Sequence, residues 1–186
     1  MLQMDAPDAA KPAVRWLPFQ LAPDVPDGGV PRKEYMERKF GPGALARGHE
    51  RLDALGREVG IDFGFDKIAI TPNTLNAHRL MHYAERQGRV DETAEALFKA
   101  YFVDGENLAD IQALADIGAR AGLERAALAA YLESDADRDA VRAQIDEAQR
   151  AGVGGVPFFI FNRKIGVSGA QDAQTLLGAM REALKP

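Results

Sequence analysis

Cysteine is absent from all 186 residues. No disulfide staples the fold, and no thiolate is available as a nucleophile or metal ligand. An excess of basic charge is also missing: 28 acidic residues stand against 23 basic ones, for a net charge of −5. That balance excludes a general nucleic-acid binder, which needs a basic surface. No apolar run approaches the length that spans a bilayer, and Met1-Leu2-Gln3-Met4-Asp5 lacks the basic and then apolar pattern of a signal peptide. The expected compartment is the cytoplasm, with no membrane and no nucleic acid among the partners. Internal repeats, a Ser/His/Asp triad at recognisable spacing, a phosphate-binding glycine loop and a paired-carboxylate signature are likewise missing. An apolar fraction of 46% and a charged fraction of 27% are those of an ordinary globular chain. The length suits one domain, or one domain with a sizeable insertion.

The most informative stretch that is present runs from Gly152 to Phe161, G-V-G-G-V-P-F-F-I-F. It follows a helical pattern ending near Ala151 and opens an apolar run of strand formers, Val156, Phe158, Phe159, Ile160 and Phe161. Pro157 stands at a first strand position, where its missing N–H is tolerated. The glycines before it permit backbone paths closed to other residues, and a proline here can take the cis bond of a specified tight turn. Asn162-Arg163-Lys164 then reads as a turn, Ile165-Gly166-Val167 as a second strand, and Ser168-Gly169-Ala170-Gln171-Asp172 as the opening of a helix to about Leu184. Strand, turn, strand and amphipathic helix form the ββα half of a thioredoxin-type domain.

Upstream, Val14 to Leu21 (V-R-W-L-P-F-Q-L) is dense enough in apolar residues for a strand covered on both faces, with Pro18 at its end or edge. Trp16 is expected in the core. Pro31 starts a helix stopped by Gly41-Pro42-Gly43, and a second covers Leu45 to Val59. Ile61 to Ile70 is ambiguous between strand and loop. From Thr71 onward the pattern is helical: Asn73 or Thr74 caps a helix to Gln87, and four more follow. In the last of these Ser134 and Asp137 resemble a capping box ahead of the stripe Val141, Ile145 and Ala148. The expected organisation is residues 1–30 and 151–186 in an α/β domain, with 31–150 as an inserted all-helical subdomain.

G-V-P-F-F-I-F, S-G-A-Q and T-P-N-T-L-N-A-H-R-L (71–80), in this order, resemble the DsbA family and most of all its FrnE-type thiol–disulfide oxidoreductases. The resemblance implies a thioredoxin-like α/β fold in which the first βα unit, which carries C-x-x-C in the family, has no counterpart: only 13 residues precede Val14. On this reading the chain is N-terminally shortened, Leu2-Gln3-Met4-Asp5 is a remnant of the first helix, and the chain is redox-inactive as it stands. The resemblance further places the substrate, a thiol or disulfide in a protein or small molecule, against Val156 and Pro157, with Asn73 and His78 as cleft candidates. Their alternative reading is a helix cap and an exposed histidine. Related glutathione-binding transferases and isomerases hold glutathione near the start of the last helix, which makes Val156, Gln171 and Asp172 candidates for that ligand; simple helix capping is the alternative for the last two. A non-catalytic peptide-binding module using the proline edge is the remaining class, and a homodimer is open. No catalytic residue and no resident cofactor is assigned. His78 and His82 share a helix face four residues apart, but no third ligand is identifiable, so no metal site is assigned. His49 is isolated and expected in solvent.

Overall fold

The computed structural model describes residues 12–186; the proposed helix remnant at residues 2–5 lies outside them. By proximity the chain divides into two compact units, residues 22–143 and, in the second, Gln144–Pro186 together with residues 12–21.

The larger unit is helical. A two-residue ladder pairs β1 (Val30–Pro31) antiparallel with β2 (Ile70–Thr71), and α1 (Arg32–Phe40) springs from it with Arg32 N–H donating to the Ala69 carbonyl at 2.9 Å. It is followed by α2 (Ala44–Glu58), a single 3₁₀ turn at Phe65–Lys67, α3 (Leu75–Arg86), α4 (Val90–Phe102), α5 (Ile111–Arg120) and α6 (Arg125–Glu133). The core lies among α3 to α6, where Leu80, Leu114, Ile117 and Leu128 are completely buried. The apolar spacing of α5, with Leu114, Ala115, Ile117 and Gly118 buried, is that of a helix with one face inward. Gly118 lets α6 approach, since a Cβ there would collide with Leu128. Caps fix the starts: Asp110 accepts from Gln112 and Ala113 N–H, and Glu124 from Ala126 and Ala127 N–H, each satisfying donors that a helix leaves orphaned.

Arg79 is fully buried in this unit. Its Nε donates to the Ala136 carbonyl (3.0 Å), Nη1 to Asn76 Oδ1 and the Leu132 carbonyl (both 2.9 Å), and Nη2 to the carbonyls of Tyr131 (2.8 Å) and Ser134 (2.7 Å). A guanidinium has five N–H donors, and all five are used. Tyr131 and Leu132 carry last-turn carbonyls of α6, so α3 supplies the cation that this helix end favours. Beside it, Asp137 Oδ2 accepts from Arg86 Nη1 at 2.6 Å and from the Tyr131 hydroxyl at 3.0 Å. The expected Ser134/Asp137 capping box is not formed. Ser134 closes α6 instead, its hydroxyl accepting from Ala136 N–H, and Asp137 takes φ +58°, a region that Asp tolerates better than most residues. This turn leads into α7 (Arg138–Arg150), which runs from the helical unit into the smaller one.

The smaller unit holds β3 (Phe158–Phe161), β4 (Ile165–Ser168) and α8 (Ala173–Ala183). The hairpin turns at Asn162 and Arg163, both at positive φ, with Lys164 N–H donating to the Phe161 carbonyl. Two positive φ values in succession match the right-handed strand twist. Asn162 Nδ2 then reaches the Ala183 carbonyl at 3.2 Å and ties α8 to the turn.

Three further expectations fail. Residues 14–21 form no strand, and Trp16 is 43% exposed rather than in the core. An apolar run becomes a strand only when a neighbour completes its ladder, and the two described sheets, β1–β2 and β3–β4, enrol other residues. His49, expected in solvent, is half-buried. Its ring stacks on Phe65 at 4.4 Å and its Nε2 is shielded from solvent; burial, aided by Arg32, pushes its pKa down. No described helix is long and apolar enough to cross a membrane.

Replacing Arg79 with Met leaves several buried carbonyls unpaired, and urea unfolding is expected to show a loss of about 3–5 kcal/mol. Arg79→Lys, which keeps the charge but offers at most three donors, should fall between. Arg86 and, less strongly, Tyr131 hold the Asp137 carboxyl below its usual range. A folded-state pKa below the unfolded one contributes stability that is complete above the unfolded value, about 3.9, and lost as pH falls through the folded one. Acid unfolding of Asp137→Asn should therefore be shallower below about pH 4 than that of the parent chain; an identical slope would show that the carboxylate contributes nothing.

Candidate functional site

The site is built where α7 ends. Gly152, at φ +87°, donates to the Gln149 carbonyl while Val153 N–H donates to the Ala148 carbonyl, the paired bonds of a Schellman close. The glycine makes the reversal that only a residue without a Cβ adopts freely, and Val153 is buried behind it. The chain then passes through Gly154 and Gly155 to Val156, which is 47% exposed. The Val156–Pro157 peptide is cis. The Pro157 carbonyl accepts from Gly169 N–H at 2.9 Å, which continues the β3–β4 ladder beyond its first assigned pair, Phe158 with Ser168.

The hairpin has two unlike faces. Phe159 and Phe161 stack at 6.4 Å between ring centres on the face that also carries Ile165 and Val167, all half-buried. On the opposite face Ile160, Gly166 and Ser168 are exposed, and the Phe158 ring lies over Gly166. The alternation follows from the two-residue period of a strand. Among the described residues, none hydrogen-bonds the Val156 backbone, and β3 pairs in its sheet with β4 alone. The result, among the described residues, is an exposed apolar side chain, unengaged main-chain polar groups and an open strand side in sequence.

Gln171 and Asp172 lie in the same unit. Asp172 caps α8, accepting from Thr175 N–H (2.9 Å) and from the Thr175 hydroxyl (2.8 Å); these bonds, the backbone one foremost, hold its carboxyl below the usual range. Gln171 Nε2 donates to the Ser168 carbonyl at 2.9 Å. Both side chains thus make bonds within their own turn. Asn73 and His78 belong to the helical unit. Asn73 Oδ1 accepts from Leu75 N–H and its Nδ2 donates to the Val25 carbonyl at 2.6 Å, so its amide holds the entry to α3. His78 sits half-buried in the first turn of that helix. His82 Nε2 faces Asp137 Oδ2 at 3.9 Å, and no group of three or more His, Asp or Glu residues suited to a metal occurs among the described residues.

Sequence reasoning missed the Arg79, Arg86, Tyr131 and Asp137 cluster. Its available signal was Arg79 four residues after Leu75 and next to Leu80, an arginine inside an apolar stripe, which is uncommon unless the charge is fully bonded.

The model of the DSBA-like thioredoxin domain matches residues 2–181. The crystal structure of SCO1869, a probable DsbA oxidoreductase from Streptomyces coelicolor, superposes with a TM-score of 0.81 at 31% identity, over 89% of this chain and 72% of that one. YwbO of Bacillus subtilis (strain 168), an uncharacterised protein, is 25% identical over 152 residues, which are 79% of this chain and 70% of that relative. The fold is therefore thioredoxin-like α/β, with eight helices among the described residues, and the chain belongs to the family of DSBA-like thioredoxin domains.

Proposed function

We propose that this chain is a substrate-holding member of the thiol–disulfide oxidoreductase family, of the FrnE-like branch, which binds an extended polypeptide segment at Val156 and the open side of β3 and does not itself exchange disulfides. The observation that carries this reading is that no described residue engages the main chain of Val156, directly before a strand with one described neighbour. An extended segment placed there would gain main-chain hydrogen bonds as an added strand, with the exposed Val156 and Ile160 side chains offering apolar contact. Family membership favours a peptide or thiol substrate, and the lack of any cysteine leaves the 186 residues with no sulfur nucleophile. Disulfide exchange proceeds by thiolate attack on a disulfide sulfur, a step for which this sequence has no atom.

A small thiol such as glutathione competes for the same main-chain groups. With Gln171 and Asp172 bonded to Ser168 and Thr175, Val156 is the residue left to hold it, which favours the longer ligand. Asn73 and His78 belong to the helical unit, where the Asn73 amide holds the entry to α3.

Titration calorimetry with unstructured apolar peptides should show binding, and Val156→Asp should weaken it about tenfold, the equivalent of losing one buried valine contact. Glutathione alone should bind less tightly, and the chain should not turn over in a disulfide-reduction assay. Turnover without cysteine, or peptide binding indifferent to Val156→Asp, would overturn the proposal.

A further inference from the structure

On α2, Leu52 and Leu55 are 45% and 49% exposed and Val59, just past the last turn, is 72% exposed. At 100° per residue these three, together with Gly48, fall within one narrow stripe of the helix. The neighbouring stripe is committed inward: His49 stacks on Phe65, and Gly56 is packed so closely that an added Cβ would stand 2.7 Å from the Phe63 ring and from the Ile61 carbonyl. On the outer side of the apolar stripe, Arg51 and Glu58 lie seven residues apart along one edge, both exposed. Neither makes an ion pair among the described residues. A solvated helix face has no need of leucines at this spacing, and the two charges of opposite sign are unspent.

We infer that this face of α2 binds the same face of a second copy of the chain, antiparallel, about a two-fold axis passing between positions 53 and 54. The register follows from the residues. With the axis there, Leu52 meets Leu55 of the partner and Leu55 meets the partner's Leu52. Val59 meets the partner's Gly48, around which a side chain would find open space, so the most exposed apolar group of the stripe faces a position with room for it. Along the outer edge Arg51 comes within two residues' rise, about 3 Å, of the partner's Glu58, and the symmetric pair forms at the other end. The contact is isologous, so it closes at two copies. Its small size, one helix of 15 residues per side, places it at the weak end of specific interfaces, at about micromolar affinity.

Sedimentation velocity across a wide concentration series of the whole chain is expected to show a monomer passing to a dimer. Leu52→Glu with Leu55→Glu should abolish the dimer at unchanged helical circular dichroism. Arg51→Glu alone, which sets two glutamates against each other, should weaken it about tenfold, and Arg51→Glu combined with Glu58→Arg should restore it. If the leucine variant loses its helical signal, the charge exchange decides alone. A monomer at every concentration, a dimer indifferent to these changes, or a charge exchange that fails to restore the dimer would overturn the inference.

Discussion

The helical unit depends on one buried cation. Arg79 carries a full charge with no solvent exposure, a state that is costly unless every donor is matched. Here the match is complete, through four carbonyls of the α6 end and the following turn and one amide oxygen of α3. Among the described residues no carboxylate touches the guanidinium directly. The charge is offset by carbonyl dipoles at a helix C-terminus, where the helix dipole is negative, and by the Tyr131 ring, 5.0 Å away. This arrangement is directional in a way that leucine packing is not. It fixes where α6 ends, what the residues from Ser134 to Asp137 do, and so the point at which α7 begins.

Around it, side chains are used twice. Tyr131 packs its ring against Tyr83 and gives its hydroxyl to Asp137; burial and that carboxylate together push its pKa up to about 12. Asp137 in turn gathers Arg86 and lies within 3.9 Å of His82. Arg79, Arg86, Tyr131 and Asp137 form a polar plug beside the apolar core of Leu80, Leu114, Ile117 and Leu128, and their bonds make the position of α3 against α6 specific rather than merely favourable.

Much of this was legible in the residues. The stripe Leu114, Ile117 and Ala121 announced α5, and the strand, turn, strand and helix order of 157–184 is present with its Asn162 turn. The proline-led edge at Val156 stood out because few sequences place proline there without need. What misled was local density without a partner. Val14 to Leu21 has the composition of a strand, but pairing is a property of two segments, and composition describes only one. His49 misled in the opposite direction: a solitary polar residue carries no sign that a phenylalanine sixteen positions later will cover its ring. Asp137 shows a third limit, because the same S-x-x-D spacing that can cap a helix can also end one when a buried arginine competes for the carbonyls.

The two units differ sharply in how much they bury. Most of the fully enclosed side chains belong to the helical unit, whereas within Gln144–Pro186 only Ile145, Val153 and Ala183 are buried. Local opening free energy follows buried apolar contact and shielded hydrogen bonds. Amide protons of the β3–β4 hairpin should therefore exchange with solvent by sub-global openings that leave α3 to α6 closed, which makes the segment carrying Val156 less protected than that core and freer to be ordered by a bound chain.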